Sequence, residues 1–365
     1  MENKSVPTES PHPLGLHRSL EPPGSLPQLA WKLDSDPRAR SNEVAIAVRA
    51  LNIDSASFHD LSQRATSTGE TVPAQVARIV RERGKMHNPA TNSGGICLGE
   101  IREIGPDHPS AGTFAPGDPV ASLVSLTLTP LALEEVGPIV PGSERLAARG
   151  TAILFARTLF ARLPDDLPEA LALAAFDVCG APALVRRHAR GAESVLVVGA
   201  GKAGLLCLAA AREVVGSGRV LAVDSSEAAV RRARGLGLAD VVFRADARDP
   251  VTLLSGVEQA NEGRRVDLVV NVANVPGTET ASVLCARDEG TVIFFGMATS
   301  FQAAALGAEG VAHPGTLLIG NGYVPGHAEY ALDLLRSHDR LRAAFTEIAG
   351  TDLISREGLT PEEGR

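Results

Sequence analysis

Residues 193–215 read ESVLVVGAGKAGLLCLAAAREVV, and this stretch decides the fold of the chain around it. A short apolar run rich in valine predicts a strand, and the alanine- and leucine-rich run after the turn predicts a helix. The turn carries Gly199, Gly201 and Gly204 in the spacing G-x-G-x-x-G. Between a strand and a helix, this spacing is typical of a dinucleotide site with the pyrophosphate at the helix N-terminus. The alternative is a nucleotide-free α/β fold that keeps the glycines for packing.

The next predicted strand ends in Asp224, which lies 20 residues beyond Gly204. Its carboxylate would accept hydrogen bonds from the adenosine ribose and repel a 2′-phosphate, which favours NAD over NADP. Alternatively, Asp224 only caps the helix that follows. Lys202 could reach the pyrophosphate as a point charge. The predicted cofactor-binding residues are Gly199, Gly201, Lys202, Ala203, Gly204, Asp224, Ser225, Gly296 and Met297.

Further apolar runs at residues 219–224, 266–273 and 290–298 alternate with helix-like stretches. Strands that alternate with helices predict a parallel sheet with right-handed crossovers. The chain ahead of residue 160 has a different character and is predicted to be mainly β. The fold class is therefore α/β, with a mainly β domain preceding a doubly wound Rossmann domain.

The predicted domains are residues 1–165, residues 166–317 and a segment, residues 318–365, that returns to the first domain. Within the first domain, alternation predicts strands at 43–54, 94–105 and 118–133, and a helix that ends near Gly84. Residues 1–30 are rich in proline and receive no element, with Leu29 and Trp31 expected to pin their end to the core. Residues 327–349 are predicted to form one helix.

Composition excludes several classes of function. The chain has 365 residues, of which 44% are hydrophobic and 21% charged, and its net charge is −8. An acidic chain has no cationic surplus for nucleic acid or an anionic membrane, so neither is expected as a partner. The four cysteines contain no CxxC pair, which argues against a disulfide framework. We therefore expect a cytoplasmic protein.

Two motifs resemble the medium-chain dehydrogenase/reductase superfamily. FAPGDPVASL, residues 114–123, resembles its F-x-x-G-D-x-V strand, and SGGICLGEIREIG, residues 93–105, resembles the stretch that reads G-H-E-x-x-G in zinc-containing members. Gly95 and Ile96 stand at the His and Glu positions of that stretch. The resemblance implies a GroES-like catalytic domain joined to the Rossmann domain. It also implies that no metal is bound, because neither residue can ligate zinc.

The loss of zinc has a chemical interpretation. Zinc stabilises a developing alkoxide, whereas hydride loss from an amine leaves an iminium cation that a carboxylate stabilises. Amine oxidation fits this pattern. Quinone and enoyl reductases of the superfamily also lack zinc, so the absence alone does not choose between the two chemistries.

Longer strings narrow the resemblance. PQLAWKLD, ERGKMHNP, MATSFQAAALGAEG and IGNGY, spread over residues 27–323, resemble the L-erythro-3,5-diaminohexanoate dehydrogenase family of lysine fermentation. The resemblance implies a homodimer that oxidatively deaminates this diamino acid with NAD, giving 5-amino-3-oxohexanoate, ammonium and NADH. The alternatives are a zinc-free enoyl or quinone reductase that uses NADPH, and a non-catalytic NAD-binding protein.

Such a substrate carries two ammonium groups and a carboxylate, so its pocket needs acids, a cation and a base. Lys85 could bind the carboxylate or act as a base, and His87 and His59 are candidate proton acceptors. Alternatively, the acids only cap turns or helices or face solvent, Lys85 and His87 lie in a surface turn, and His59 is a simple helix residue. The predicted catalytic residues are Asp54, Asp177, Lys85, His87, His59 and Glu100.

Overall fold

The structure is a computed structural model that describes residues 11–141, 143–320 and 322–349. The described residues divide into two compact units, one up to residue 165 and the other from residue 166. The first unit contains an antiparallel sheet and the second a parallel sheet flanked by helices, so the predicted fold class is confirmed.

The first unit is built on a six-stranded antiparallel sheet and a two-stranded sheet. Its strands are β1 (Ser19–Glu21), β2 (Lys32–Leu33), β3 (Glu43–Asn52), β4 (Ile96–Ile104), β5 (Pro119–Ser122), β6 (Leu131–Ile139), β7 (Arg145–Phe155) and β8 (Phe160–Arg162), and its helices are α1 (Ser55–Thr68) and α2 (Val72–Arg83). The large sheet has the order β6-β7-β3-β4-β5-β8, so β3 lies near its centre. Ile46, Leu51, Val76 and Leu126 belong to one large buried cluster, in which residues of the sheet and of the helices pack together.

Each helix of the first unit begins at a side-chain cap. Asp54 accepts a hydrogen bond from the backbone of Ser57 at the start of α1, and Thr71 plays the same role for α2. Gly84 ends α2 with φ +63°, as the predicted glycine stop requires. Helix α1 was not predicted, because its sequence has few apolar residues at helical spacing.

Two predictions for the first unit are wrong. The predicted strand at 118–133 is two strands, β5 and β6, separated by a 3₁₀ turn at Leu126–Leu128. The segment that received no element contains β1, and Leu29 and Trp31, which were expected to pin its end to the core, are exposed. The segment is anchored instead by a buried ion pair, in which the Arg18 guanidinium donates to both carboxylate oxygens of Glu43 at 2.9 and 2.6 Å.

The second unit is a six-stranded parallel sheet in the order β11-β10-β9-β12-β13-β14. Its strands are β9 (Ser194–Val198), β10 (Arg219–Asp224), β11 (Val241–Arg244), β12 (Val266–Asn271), β13 (Ala286–Phe294) and β14 (Thr316–Ile319). Its helices are α3 (Glu169–Phe176), α4 (Gly180–His188), α5 (Lys202–Val215), α6 (Glu227–Leu236), α7 (Pro250–Ala260), α8 (Glu279–Cys285), α9 (Phe301–Gly310), α10 (His327–Ser337) and α11 (Asp339–Ala349). The strand order reverses between β9 and β12, and in open parallel sheets ligands bind at the carboxyl ends of the strands beside such a reversal.

The last helices differ from the prediction. The predicted helix at 327–349 is broken at His338, whose φ of −129° and ψ of 96° are extended, so α10 and α11 are separate. Both pack against α3 and α5 within the second unit. The described part of residues 318–349 thus belongs to the second unit, where the sequence had predicted a return to the first, and residues 350–365 lie outside the described residues.

None of the helices in the described part of the chain has the length and apolarity that a membrane crossing requires.

Candidate active site

In the glycine turn after β9, two of the three glycines meet a backbone requirement and the third borders open space. Gly199 has φ +98°, a conformation that residues with a Cβ rarely adopt. A Cβ on Gly204 would lie 1.9 Å from the carbonyl oxygen of Gly199, so only glycine lets α5 pack so closely on the turn. A Cβ on Gly201 would meet nothing within 4 Å, which leaves open space at the N-terminus of α5. These features fit a pyrophosphate at the helix N-terminus.

Asp224, at the end of β10, is bound to the glycine turn. One carboxylate oxygen accepts the Ala200 N–H at 2.8 Å and the other accepts the Ser226 N–H at 2.8 Å. Ser226 itself caps α6, so Asp224 is not the N-cap of that helix. Each carboxylate oxygen keeps a second lone pair, which leaves Asp224 able to accept hydrogen bonds from a ribose. The predicted Ser225 lies beside it, and its carbonyl accepts from Arg244 Nε at 2.9 Å.

Lys202 and Asp177 form an ion pair. Lys202 opens α5, and its Nζ lies 2.8 Å from Oδ2 of Asp177, the residue that ends α3. The Asp177 side chain is 63% exposed. The sequence had assigned Lys202 to the pyrophosphate and Asp177 to a substrate ammonium, and it gave no sign that the two residues meet. Ala203 is half-buried in the first turn of α5.

The ends of β12 and β13 lie close together. A Cβ on Gly296 would lie 2.4 Å from the Ala273 carbonyl oxygen, so glycine permits this approach. The next residue, Met297, is 95% exposed. Both predicted residues therefore lie at the carboxyl edge of the sheet, as does the glycine turn.

In the first unit, the carboxylate of Asp54 is held from one side. Its Oδ1 accepts the Ser57 N–H at 2.9 Å and the Ser93 hydroxyl at 2.8 Å. Its Oδ2 is buried and has no hydrogen-bond partner among the described residues. Asp54 thus acts as a cap through Oδ1, as the alternative interpretation held. Capping does not account for Oδ2.

Three hydroxyl groups adjoin Asp54, and we call Ser57, Thr91 and Ser93 the hydroxyl cluster. The Ser57 Oγ lies 2.6 Å from Thr91 Oγ1 and 2.9 Å from Ser93 Oγ, and Ser93 and Thr91 are 3.0 Å apart. Thr91 and Ser93 were not predicted. Thr91 and Ser93 are 34 and 36 residues from Ser57, so no local pattern in the sequence indicates the cluster.

Lys85 is fully buried, so the surface-turn alternative is wrong for this residue. Its Nζ donates to the carbonyl of Pro27 at 2.8 Å. Burial, with the like charge of Arg83 as a smaller cause, lowers the pKa of Lys85 to about 8. The Lys85 ammonium group, which the sequence analysis expected to bind a substrate carboxylate, is thus bound to the N-terminal segment of the protein itself.

The remaining candidates divide into two groups. His87 is half-buried, its Nε2 lies 3.3 Å from Asn92 Oδ1, and its Nδ1 is buried without a partner in the described residues. Burial lowers the pKa of His87, which favours the neutral ring. His59 and Glu100 are exposed, and the His59 ring contacts Gln63 one turn along α1 at 2.9 Å. Their positions agree with the solvent-facing alternative that the sequence also allowed.

The region that binds zinc in other members has a specific obstruction. Gly95 has φ +87°, and a Cβ there would lie 2.0 Å from the Asn52 carbonyl oxygen. Any ligating side chain at this position would require the two strands to move apart. Among the described residues, no three His, Cys, Asp or Glu side chains are grouped so that they could hold a metal ion.

Comparison with known proteins gives two family matches, one to each unit. Residues 17–164 match the model of the L-erythro-3,5-diaminohexanoate dehydrogenase N-terminal domain, and residues 203–334 match that of a zinc-binding dehydrogenase. The chain is 45% identical to L-erythro-3,5-diaminohexanoate dehydrogenase of Acetoanaerobium sticklandii, over 92% of this chain and 98% of that protein. The enzyme of the same name from Fusobacterium nucleatum is 45% identical over 92% and 97%.

The chain belongs to the L-erythro-3,5-diaminohexanoate dehydrogenase family. Membership in this dehydrogenase family makes it an oxidoreductase that acts on a small molecule with a nicotinamide cofactor. Solved structures support the fold alone. An alcohol dehydrogenase from Thermotoga maritima aligns with a TM-score of 0.53 at 13% identity, covering 85% of this chain and 86% of that one. A mycobacterial protein complexed with NADPH aligns with a TM-score of 0.51 at 18% identity, covering 88% and 86%.

Proposed function

We propose that the chain catalyses the NAD-dependent oxidative deamination of L-erythro-3,5-diaminohexanoate to 5-amino-3-oxohexanoate, ammonium and NADH. The observation that carries the proposal is 45% identity to two enzymes of that name over nearly their full lengths. In the reaction, the C3 ammonium first loses a proton and the carbon then loses a hydride, which NAD accepts. Water adds to the resulting iminium and ammonium leaves, so the whole reaction releases one proton, the one lost from the C3 ammonium.

The preference for NAD rests on Asp224. Its carboxylate lies between the Ala200 and Ser226 N–H groups at the end of β10, where an adenosine ribose is bound in this fold. A 2′-phosphate at the same place would meet a like charge at short distance. No basic residue stands at this position, so the NADPH-dependent reductase alternative is not favoured.

Among the acids, Asp54 is the group we assign to stabilising the cationic substrate, because one of its oxygens has no partner in the described residues. The charge of Asp177 is balanced by Lys202, so its contribution to substrate charge is smaller. His87 is the proposed proton acceptor, since a neutral imidazole has a lone pair for the C3 ammonium proton. Lys85 supports the loop that carries His87, through its bond to the Pro27 carbonyl.

We further propose a cytoplasmic homodimer that functions in lysine fermentation. Strand β14 lies at the edge of the parallel sheet with Ile319 exposed, and Phe301 at the start of α9 is also exposed. An exposed apolar sheet edge is a common site of association. Sedimentation of the purified protein as a monomer would contradict this part of the proposal.

An assay of NADH formation tests the activity. L-erythro-3,5-diaminohexanoate should give NADH and an equal amount of ammonium, whereas lysine and 3-aminobutyrate should give much lower rates. The same rates are expected after treatment with a zinc chelator, because Gly95 and Ile96 offer no ligand. Reduction of conjugated carbonyls without any diamino acid turnover would favour a reductase, and cofactor binding without turnover would favour a non-catalytic protein.

A further inference from the structure

The buried Oδ2 of Asp54 is the polar atom that the fold leaves unexplained. Its partner atom Oδ1 accepts two hydrogen bonds, whereas Oδ2 accepts none from the described residues. A buried acceptor without a partner is costly, and in native proteins it calls for a bound water, an ion or a ligand group. The carboxylate is therefore held in a fixed orientation, and its buried Oδ2 has no hydrogen-bond donor among the described residues.

The hydroxyl cluster cannot satisfy Oδ2. Ser93 has a single hydroxyl proton, and its bond to the charged Oδ1 is stronger than a bond to another hydroxyl. Ser93 therefore accepts from Ser57, and Ser57 in turn accepts from Thr91 at 2.6 Å. In this arrangement Ser93 donates to Oδ1 and no hydroxyl of the cluster donates to Oδ2, so the cluster stabilises the negative charge and leaves Oδ2 without a donor.

No cation of the protein neutralises this carboxylate. No Lys, Arg or His in the described part of the chain forms an ion pair with Asp54, whereas Asp177 has Lys202 at 2.8 Å. A negative charge that is partly buried and has only neutral donors attracts a cationic ligand more strongly than a neutral one.

We propose that Oδ2 of Asp54 binds one of the two primary ammonium groups of the substrate, and that Ser57, Thr91 and Ser93 are positioning residues that hold Oδ1. The inference rests on the proposed function, because it takes the diamino acid as the ligand. It goes further in assigning one ammonium group to one oxygen atom and in giving the hydroxyl cluster a role.

Calorimetric titration of the NADH-bound protein tests the proposal, because no oxidation follows binding. The ligands are 3,5-diaminohexanoate, 3-aminohexanoate and 5-aminohexanoate, and the variant is Asp54→Asn. Asparagine is also a good N-cap, so α1 should persist. Asp249→Asn is the matched control, since Asp249 caps α7 by the same contact to a backbone N–H and lies outside the candidate site.

Asp54→Asn should weaken binding of 3,5-diaminohexanoate and of one monoamino ligand by about 10- to 150-fold. The other monoamino ligand, which lacks the ammonium that Oδ2 binds, should bind as it does to the wild type. Ser93→Ala should weaken binding of the same two ligands, by a smaller factor. Ser93→Thr keeps the hydroxyl group and should bind them as the wild type does. Asp249→Asn should bind all three ligands normally.

An Asp54→Asn protein that binds all three ligands as tightly as the wild type would overturn the proposal, and would indicate that Oδ2 only meets water. An equal loss for all three ligands would also overturn it, since that pattern means general damage. A wild-type protein that binds none of the three ligands would instead refute the proposed function itself.

Discussion

The glycine turn of the second unit and the Asp54 loop of the first achieve their geometry by different means. In the turn, the decisive contacts are between backbone atoms, as between Gly204 and the Gly199 carbonyl, and Asp177 is paired with Lys202. Around Asp54, side chains set the geometry through the hydroxyl cluster, and one carboxylate oxygen keeps no partner. In the turn, Gly204 therefore tolerates no added atom and the charge of Asp177 is balanced, whereas the Asp54 carboxylate has no cationic partner among the described residues.

The largest effect is expected for Gly204→Ala. The new Cβ would lie 1.9 Å from a backbone oxygen, so α5 must shift away from the turn. We expect the Kd for NADH, measured by fluorescence titration, to rise at least about 100-fold, or about 3 kcal/mol. Gly235→Ala is the control, because a Cβ there meets nothing within 4 Å and the residue lies within α6. Unchanged NADH affinity in Gly204→Ala would show that backbone packing does not shape the turn.

A smaller effect is expected for Asp224→Ala. The variant should lower the ratio of kcat/KM for NAD to kcat/KM for NADP by about 10- to 100-fold. NAD loses a charged hydrogen bond to its ribose, and NADP is no longer repelled through its 2′-phosphate. The ratio is the informative quantity, since loosening of the turn through Ala200 affects both cofactors. A ratio equal to that of the wild type would show that Asp224 does not select between NAD and NADP.

Lys85 gives a pH-dependent prediction for the loop region. Its pKa is about 8 in the folded protein, below the ordinary value of 10.5, so between these pH values the unfolded chain binds the proton and the folded chain does not. Stability from this residue therefore rises with pH above about 8. Relative to Lys85→Met, the wild type should gain about 2 kcal/mol in unfolding free energy between pH 8 and 10. The unfolding free energies are measured by urea titration, and Lys32→Met, at a half-exposed lysine, is the control. If the difference between the wild type and Lys85→Met stayed constant from pH 8 to pH 10, Lys85 would not be buried without a counter-charge.

The smallest effect is expected for the paired residues of the turn. Exposed ion pairs contribute at most about 1 kcal/mol, so Asp177→Asn and Lys202→Met should change the Kd for NADH by about 2- to 5-fold. Added salt should reduce the difference between Lys202→Met and the wild type. A loss of more than about 50-fold in either variant would mean that the pair does more than balance charge.

The sequence predicted the turn better than the loop for a physical reason. Gly199, Gly201 and Gly204 act within one local stretch, and the strand before them and the helix after them are visible in the hydrophobic pattern. Asp54 and Ser57 lie 34 to 39 positions from Thr91 and Ser93, and serine and threonine leave no periodic signal. The same limit explains why the burial of Lys85 by Pro27 and the pairing of Arg18 with Glu43 were not foreseen, since both link the N-terminal segment to distant residues.

The kcat of Asp54→Asn and Asp177→Asn with 3,5-diaminohexanoate and NAD tests the comparison most directly. If the unpaired carboxylate stabilises the iminium, Asp54→Asn should lower kcat by about 30- to 1000-fold, or 2–4 kcal/mol, with an unchanged Tm. Asp177→Asn should keep kcat within about 5-fold, because Lys202 already balances its charge. Full kcat together with an unchanged KM for the diamino acid in Asp54→Asn, or a fall in kcat in Asp177→Asn as large as that in Asp54→Asn, would contradict the account.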